Sequence, residues 1–243
     1  MMKRRTIRVS LLLASTLPAL AAQPATEREQ ACARLQPGWE RLKCSNDEIG
    51  ALDRAVESAY ATALVAIGHT GRSALKRDQA EYTRAREKAA RSGDIDLSLM
   101  LSLRKDFLES VRVNSPGVWT GSWANANGTL EILAKGGGTF HVRLQAADPV
   151  AGAWLCEFDD SAILAPRGIA MIVGAESAAD DFGGPNEGWT LALRLAGDIL
   201  LVEPLRPKGS TGPIPFCNKG GNVAGNYFAQ NHAPAINQTA GRN

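Results

Sequence analysis

The spacing of apolar residues changes once along this chain, near residues 114–117. Before that point apolar residues recur at steps of three and four, the period of an amphipathic α-helix. After it, apolar and polar residues alternate along short runs that glycine-rich turns separate, as they do in antiparallel strands. The pattern therefore predicts an α+β chain, with a helical domain followed by an antiparallel β-barrel or sandwich.

Four helices are predicted in the first part. One covers residues 27–35, and two later ones cover 73–91 and 96–112. The longest helix follows the first one; it is capped by Ser45, Asn46 or Asp47 and ends at Gly68. Its apolar stripe is Ile49, Leu52, Val56, Tyr60, Ala63, Leu64 and Ile67. The inward residues of the last helix are predicted to be Leu99 or Met100, Leu103, Phe107 and Val111.

Eight strands are predicted in the second part. They cover residues 117–123, 129–134, 139–145, 153–158, 168–173, 190–195, 199–203 and 223–228. Four of the five tryptophans fall in this part, and small sheet domains use such rings mainly as core. A pocket lined by these rings is the alternative interpretation.

The first 21 residues have the pattern of a secretory signal peptide. A basic head precedes an apolar run that ends in Ala19-Leu20-Ala21. We therefore expect residues 1–21 to be removed on export, leaving a helical domain over 22–113, a β domain over 114–230 and a disordered tail over 231–243. No transmembrane segment is expected, and the predicted location is periplasmic or secreted.

Export bears on the cysteines, because exported proteins pair them. Cys44 stands directly ahead of a predicted helix, where a thiol could also be an activated nucleophile or a metal ligand. The four cysteines allow three pairings. Proximity favours Cys32–Cys44 and Cys156–Cys217, because each pair then stays within one structural region.

Charge and motifs give no case for an enzyme. Four of the 27 basic residues lie in the leader, which leaves 23 basic against 25 acidic residues and no electrostatic argument for nucleic acid. The pairs Asp159-Asp160 and Asp180-Asp181 are interpreted as solvated turns. The histidines, His69, His141 and His232, are isolated from one another and from the cysteines. We therefore predict no catalytic residues, no cofactor and no metal.

One stretch resembles a known family. The segments Cys44-Ser45-Asn46-Asp47-Glu48-Ile49, Leu52-Asp53 and Gln79-Ala80-Glu81-Tyr82-Thr83-Arg84-Ala85-Arg86, with Cys32 and Tyr60, resemble the N-terminal domain of the LprI-like lysozyme-inhibitor family over about residues 27–112. Gln79, Tyr82 and Arg86 fit the motif Gln-x-x-aromatic-x-x-x-Arg, with Tyr where Trp is usual. Arg104 and Leu108 fit the closing helix. The second cysteine pair of the family is missing, and the β domain is similar to a small domain that often follows this module.

Gln79, Tyr82 and Arg86 lie at steps of three and four and so share one face of a helix. We interpret the motif as structural, with the ring packed inward and the two polar side chains bonded to chain ends of neighbouring helices. The alternative is a polar binding face.

The leader pattern and the lack of a catalytic set predict an exported, non-enzymatic binding protein. The resemblance implies that its partner is a lysozyme-type muramidase, which it binds as a candidate inhibitor. Two alternatives remain: an envelope protein that neutralises another secreted hydrolase or toxin, and a small-molecule carrier that uses the β-domain interior. A segment predicted to form a turn supplies the candidate partner contact, since it combines acidic side chains with an aromatic anchor; its residues are Asp180, Asp181, Phe182 and Glu187. The sequence does not define an oligomeric state.

Overall fold

The protein is described by a computed structural model over residues 26–93, 95–150, 152–165, 171–173, 189–209 and 211–231. Within these ranges the helices come first: α1 Glu27–Ala33, α2 Trp39–Ser45, α3 Asp47–Ala66, α4 His69–Ser92 and α5 Leu97–Ser110. The strands follow: β1 Gly121–Ala124, β2 Gly128–Gly136, β3 Thr139–Ala147, β4 Leu155–Leu164, β5 Met171–Val173, β6 Thr190–Ala196, β7 Ile199–Leu205 and β8 Gly225–Ala229. The predicted α+β class is confirmed.

Helix α3 begins where a side chain caps it. The Asn46 side-chain oxygen accepts hydrogen bonds from the backbone N–H groups of Glu48 and Ile49, at 3.0 and 3.2 Å. The acidic residues in the first turn of α3 also interact favourably with the positive end of the helix dipole. The short helix α2 was not predicted, because its seven residues give too few turns for a periodic pattern to show.

The inward face of α5 differs from the predicted one. Leu103 is 43% exposed, and Leu99 is exposed as well. The buried residues of this helix are Met100, Leu101, Arg104, Phe107 and Leu108. Met100, Phe107 and Val111 are buried as predicted, whereas Leu103 was wrong: Arg104 takes the inward position beside it, which an apolar pattern cannot reveal.

The eight strands form a closed antiparallel barrel, which decides between barrel and sandwich. Each strand pairs with its neighbour in sequence, and β1 closes the barrel by pairing with β8 at Trp123↔Ala229. Strand β4 continues past the predicted end at residue 158. Asp159 and Asp160 therefore lie within a strand, and their interpretation as a turn was wrong.

Side chains fill the barrel interior. Large rings and branched aliphatic residues from opposite strands meet there, and the core includes Trp119, Trp123, Leu130, Leu144, Phe158, Trp189, Leu200 and Tyr227. Trp154 packs against the same cluster. The predicted core role is confirmed for Trp119, Trp123 and Trp189, whereas Trp154 is partly buried at the edge of the cluster.

The helices cover one outer side of the barrel. Because successive side chains of a strand point to opposite faces, Ala124, Ile199 and Phe228 point outward from β1, β7 and β8. All three belong to the apolar core of the helices. The rings of Phe107 and Phe228 meet edge to face, with centroids 6.1 Å apart. The helical layer and the barrel therefore share a continuous core.

Both predicted disulfides are present. Cys32–Cys44 joins α1 to the end of α2, and Cys156–Cys217 fastens the segment before β8 to β4. Backbone hydrogen bonds accompany the second bridge: the N–H of Glu157 donates to Phe216, and the N–H of Asn218 donates to Leu155. Two disulfides fit an oxidising compartment. Among the described residues, no helix has the length and apolar character needed to cross a membrane.

Candidate functional site

The face of α4 that carries the motif points into the helical domain. Gln79, Tyr82 and Arg86 are exposed by only 7%, 4% and 7%. They lie on the same side of α4 as Leu75, against α3, α5 and the α2 segment. The motif is therefore internal. This agrees with the interpretation of the motif as structural and excludes the alternative of an exposed polar binding face.

Arg86 pairs with Asp53 of α3. Its Nη1 lies 2.8 Å from the Asp53 Oδ1, and both side chains are buried. Lys43 approaches the other carboxylate oxygen of Asp53 at 3.5 Å. The ring of Trp39 in α2 stacks on the Arg86 guanidinium, 4.2 Å from its centroid. α2 thus shields this ion pair from water.

Arg104 of α5 forms the second buried pair. Its Nη1 lies 2.7 Å from the Asp78 Oδ2, while Nε and Nη2 donate to the Gln79 Oε1 at 3.1 and 2.6 Å. The guanidinium also lies over the rings of Tyr82 and Phe107, 4.8 and 4.7 Å from their centroids. The planar guanidinium satisfies several groups at once, and lysine could not reproduce that geometry.

These partners differ from the ones predicted. Gln79 and Arg86 were expected to bond to chain ends of neighbouring helices. They bond instead to the side chains of Arg104 and Asp53. A buried guanidinium requires a compensating negative charge, and a carboxylate supplies more of it than a backbone carbonyl does.

Tyr82 is the aromatic centre of this network. Burial raises the pKa of its hydroxyl to about 12, although the nearby Arg86 and Arg104 favour ionisation. Within the described part of the chain its Oη has no hydrogen-bond partner. The ring, rather than the hydroxyl, therefore contributes the packing.

Asp78 links the helices to the barrel, and the sequence interpretation missed it. Its Oδ1 accepts a hydrogen bond of 2.8 Å from the backbone N–H of Ala126, in the turn between β1 and β2. Its other oxygen receives Arg104. The helical periodicity could have indicated this pair, because it places Asp78 and Arg104, which carry opposite charges, at inward positions of successive helices.

Two surface depressions lie at the helices. A groove of about 330 Å³ runs between α3 and α5, and small side chains such as Ala59 and Thr62 line it together with Leu108 and Val111. A polar cleft of about 80 Å³ separates α4 from the barrel, lined by Arg77, Asp78, Glu81, Asn125, Asn127, Ala224, Gly225 and Asn226. Neither brings together the paired acid and base of a hydrolytic site.

His141 lies on the outer face of the barrel. Its Nε2 is 2.6 Å from Asp159, whose other oxygen accepts a 2.9 Å hydrogen bond from the Arg143 Nε. This is a cross-strand surface network. Across the described ranges, no group of three or more His, Cys, Asp or Glu is placed to hold a metal ion. The candidate contact residues Asp180, Asp181, Phe182 and Glu187, and His232, lie outside the described residues.

Comparison of the chain with family models, with curated proteins and with solved structures gave no match.

Proposed function

We propose that this protein is an exported, non-enzymatic binding protein whose first candidate partner is a lysozyme-type muramidase. The partner class comes from the resemblance of residues 27–112 to the LprI-like family. A periplasmic or secreted location follows from the leader pattern and is supported by the two disulfides.

The observation that carries the proposal is the internal use of the motif. Asp53–Arg86 and Asp78–Arg104 hold three helices together in buried pairs. Groups fixed in this way support a rigid scaffold and are not available to a substrate. A partner must then be recognised by the outer surface, as in a binding protein.

The filled barrel supports a protein partner over a small-molecule cargo. A carrier of the barrel type needs an interior wide enough to hold its ligand. Here Trp123, Leu144 and Tyr227 are among the side chains that occupy the interior, and each is at most 1% exposed. This favours the protein-binding interpretation.

The proposed contact is the segment with Asp180, Asp181, Phe182 and Glu187. A lysozyme is cationic, so an acidic segment with one aromatic anchor is complementary to it. Neutralising the three carboxylates should weaken binding mainly at low salt, because screening removes the long-range attraction. Neutralisation of another secreted hydrolase or toxin would use the same kind of contact.

The test is affinity capture by the oxidised mature protein, residues 22–243, from a panel of purified lysozymes and from envelope extract. The proposal predicts retention of a lysozyme and weaker retention by an Asp180→Asn/Asp181→Asn/Glu187→Gln variant. A matched control neutralises Glu131, Glu157 and Glu203 on the outside of the barrel. Retention of a different secreted hydrolase would show that this enzyme, and not a lysozyme, is the partner. Retention of no protein would refute the proposal.

A further inference from the structure

The exposed face of α4 carries a row of positive charge. Its basic residues are Arg72, Lys76, Arg77, Arg84, Lys88 and Arg91, against the acidic Glu81 and Glu87. The opposite face holds the buried motif, so the helix is strongly divided. With 23 basic and 25 acidic residues after the leader, this local excess is not a consequence of overall composition.

Of these six cations, Arg91 pairs with Glu87, and Arg72 donates to the backbone carbonyls of Leu64 and Ile67. Across the described part of the chain, no ion pair or hydrogen bond involves the side chains of Lys76, Arg77, Arg84 or Lys88. Several cations on other elements do have one: Arg28 pairs with Asp47, and exposed pairs also include Lys105–Glu109, Arg143–Asp159 and Arg194–Glu203. Other described cations, such as Arg41, Arg54 and Lys135, also lack an ion pair, but α4 brings four such cations together on one helix.

The four unpaired cations lie along one side of α4. Lys76 and Lys88 are twelve residues apart, which is about 18 Å along an α-helix. At 100° per residue, the four unpaired cations fall within about a third of the helix circumference. They can therefore meet a flat surface at the same time.

We propose that this face of α4 holds the protein peripherally on an anionic phospholipid bilayer. Phosphate-bearing headgroups supply the missing negative charge, and basic residues next to such a surface are attracted to it within about a Debye length. Between the cations the face carries Ala80 and Glu87, with Glu81 at its border, so it offers no large apolar side chain to insert into the acyl region. A protein partner would instead require an aromatic or aliphatic anchor there.

This surface is independent of the proposed function. A cationic lysozyme is repelled by α4 and would bind elsewhere, so the molecule could hold a partner while it lies on a membrane. Loss of lysozyme binding would leave the bilayer proposal intact, and loss of bilayer binding would leave the lysozyme proposal intact.

The experiment is co-sedimentation of the oxidised mature protein with two kinds of vesicle, one of phosphatidylcholine alone and one that also contains phosphatidylglycerol. The proposal predicts binding only to the second, declining as salt is added. A Lys76→Glu/Arg84→Glu/Lys88→Glu variant should bind about tenfold more weakly or worse. A Lys135→Glu/Lys208→Glu/Lys219→Glu variant, which reverses as many exposed charges on the barrel side, should bind like the unmodified protein.

Four results would overturn the proposal. They are no binding to anionic vesicles, equal binding to both kinds, equal losses in the two variants, and binding to an anionic polysaccharide or to nucleic acid without binding to vesicles. Far-ultraviolet circular dichroism of both variants checks that the helices are retained, and the charge changes all lie on exposed positions.

Discussion

The carboxylate of Asp78 accepts a hydrogen bond from the backbone N–H of Ala126, so a residue of α4 is bonded to the turn between β1 and β2 of the barrel. The same carboxylate neutralises Arg104 of α5. One buried side chain therefore stabilises both the packing of α4 against α5 and the packing of the helices against the barrel. The outward Phe228 and Ile199 add apolar contact to the same interface.

Replacement of Asp78 by Asn should be strongly destabilising. It leaves the Arg104 guanidinium buried without its negative partner, a change that costs about 3–5 kcal/mol. Urea unfolding with the disulfides intact measures this loss. The matched control is Asp106→Asn on the exposed side of α5, which should have little effect. Equal losses in the two variants would show that the buried pair is not important for stability.

The ring of Tyr82 should matter far more than its hydroxyl. Tyr82→Ala removes a 4% exposed ring from the helical core and should cost about 3–5 kcal/mol. Tyr82→Phe keeps the ring and removes only an oxygen with no partner in the described structure, so its unfolding free energy should stay close to that of the unmodified protein. A large loss in Tyr82→Phe would reveal a hydrogen bond to that oxygen.

Stability should decline at alkaline pH in a way that depends on Tyr82. Its hydroxyl ionises near pH 10.0 when unfolded, whereas burial raises its pKa to about 12 in the folded chain. Between these values the unfolded state has released a proton that the folded state still binds, so rising pH favours unfolding. Below pH 10 this contribution is constant.

Unfolding free energies measured between pH 9 and pH 12 should therefore fall less steeply in Tyr82→Phe than in the unmodified protein. Part of the slope should remain, because burial also raises the pKa of Tyr227. Identical slopes would mean that the Tyr82 hydroxyl ionises as easily in the folded chain as in the unfolded one.

The two disulfides should contribute unequally. Cys32 and Cys44 are 12 residues apart, while Cys156 and Cys217 are 61 apart. The loop-closure model then gives about 3 kcal/mol for the first bridge and about 4 kcal/mol for the second. The second also lies within the barrel core. Paired Cys→Ser variants compared by urea unfolding should show this order, and the reverse order would contradict it.

Much of the architecture was predictable because the local spacing of apolar residues and glycines determines the helices, strands and turns. Each predicted strand overlaps one observed strand, since alternation and glycine turns act over a few residues. The turn at Gly136–Gly138 shows why: all three glycines have positive φ, between 62° and 93°, which other residues rarely adopt. Closure of β1 on β8 joins distant segments, and no local pattern distinguishes it from a sandwich.

The buried polar network was only partly predictable. The motif residues, Asp53 and Arg104 were recognised in the resemblance, but their pairing was not. Asp53, Asp78 and Arg104 come from three different helices, and their distances depend on how those helices pack. The short α2 supplies Trp39 over Arg86 and was also missed. A periodic pattern shows which face is inward, whereas charge pairing inside that face is a tertiary property.

Binding to a lysozyme is the central proposal, and the lysis of peptidoglycan by lysozyme tests it most directly. The rate is measured with and without a molar excess of the oxidised mature protein, using enzymes of the c, g and i types, with the Asp180→Asn/Asp181→Asn/Glu187→Gln variant alongside. The account predicts slower lysis by at least one enzyme type, with a weaker effect of the variant at low salt. Unchanged lysis rates together with no detectable complex would contradict it.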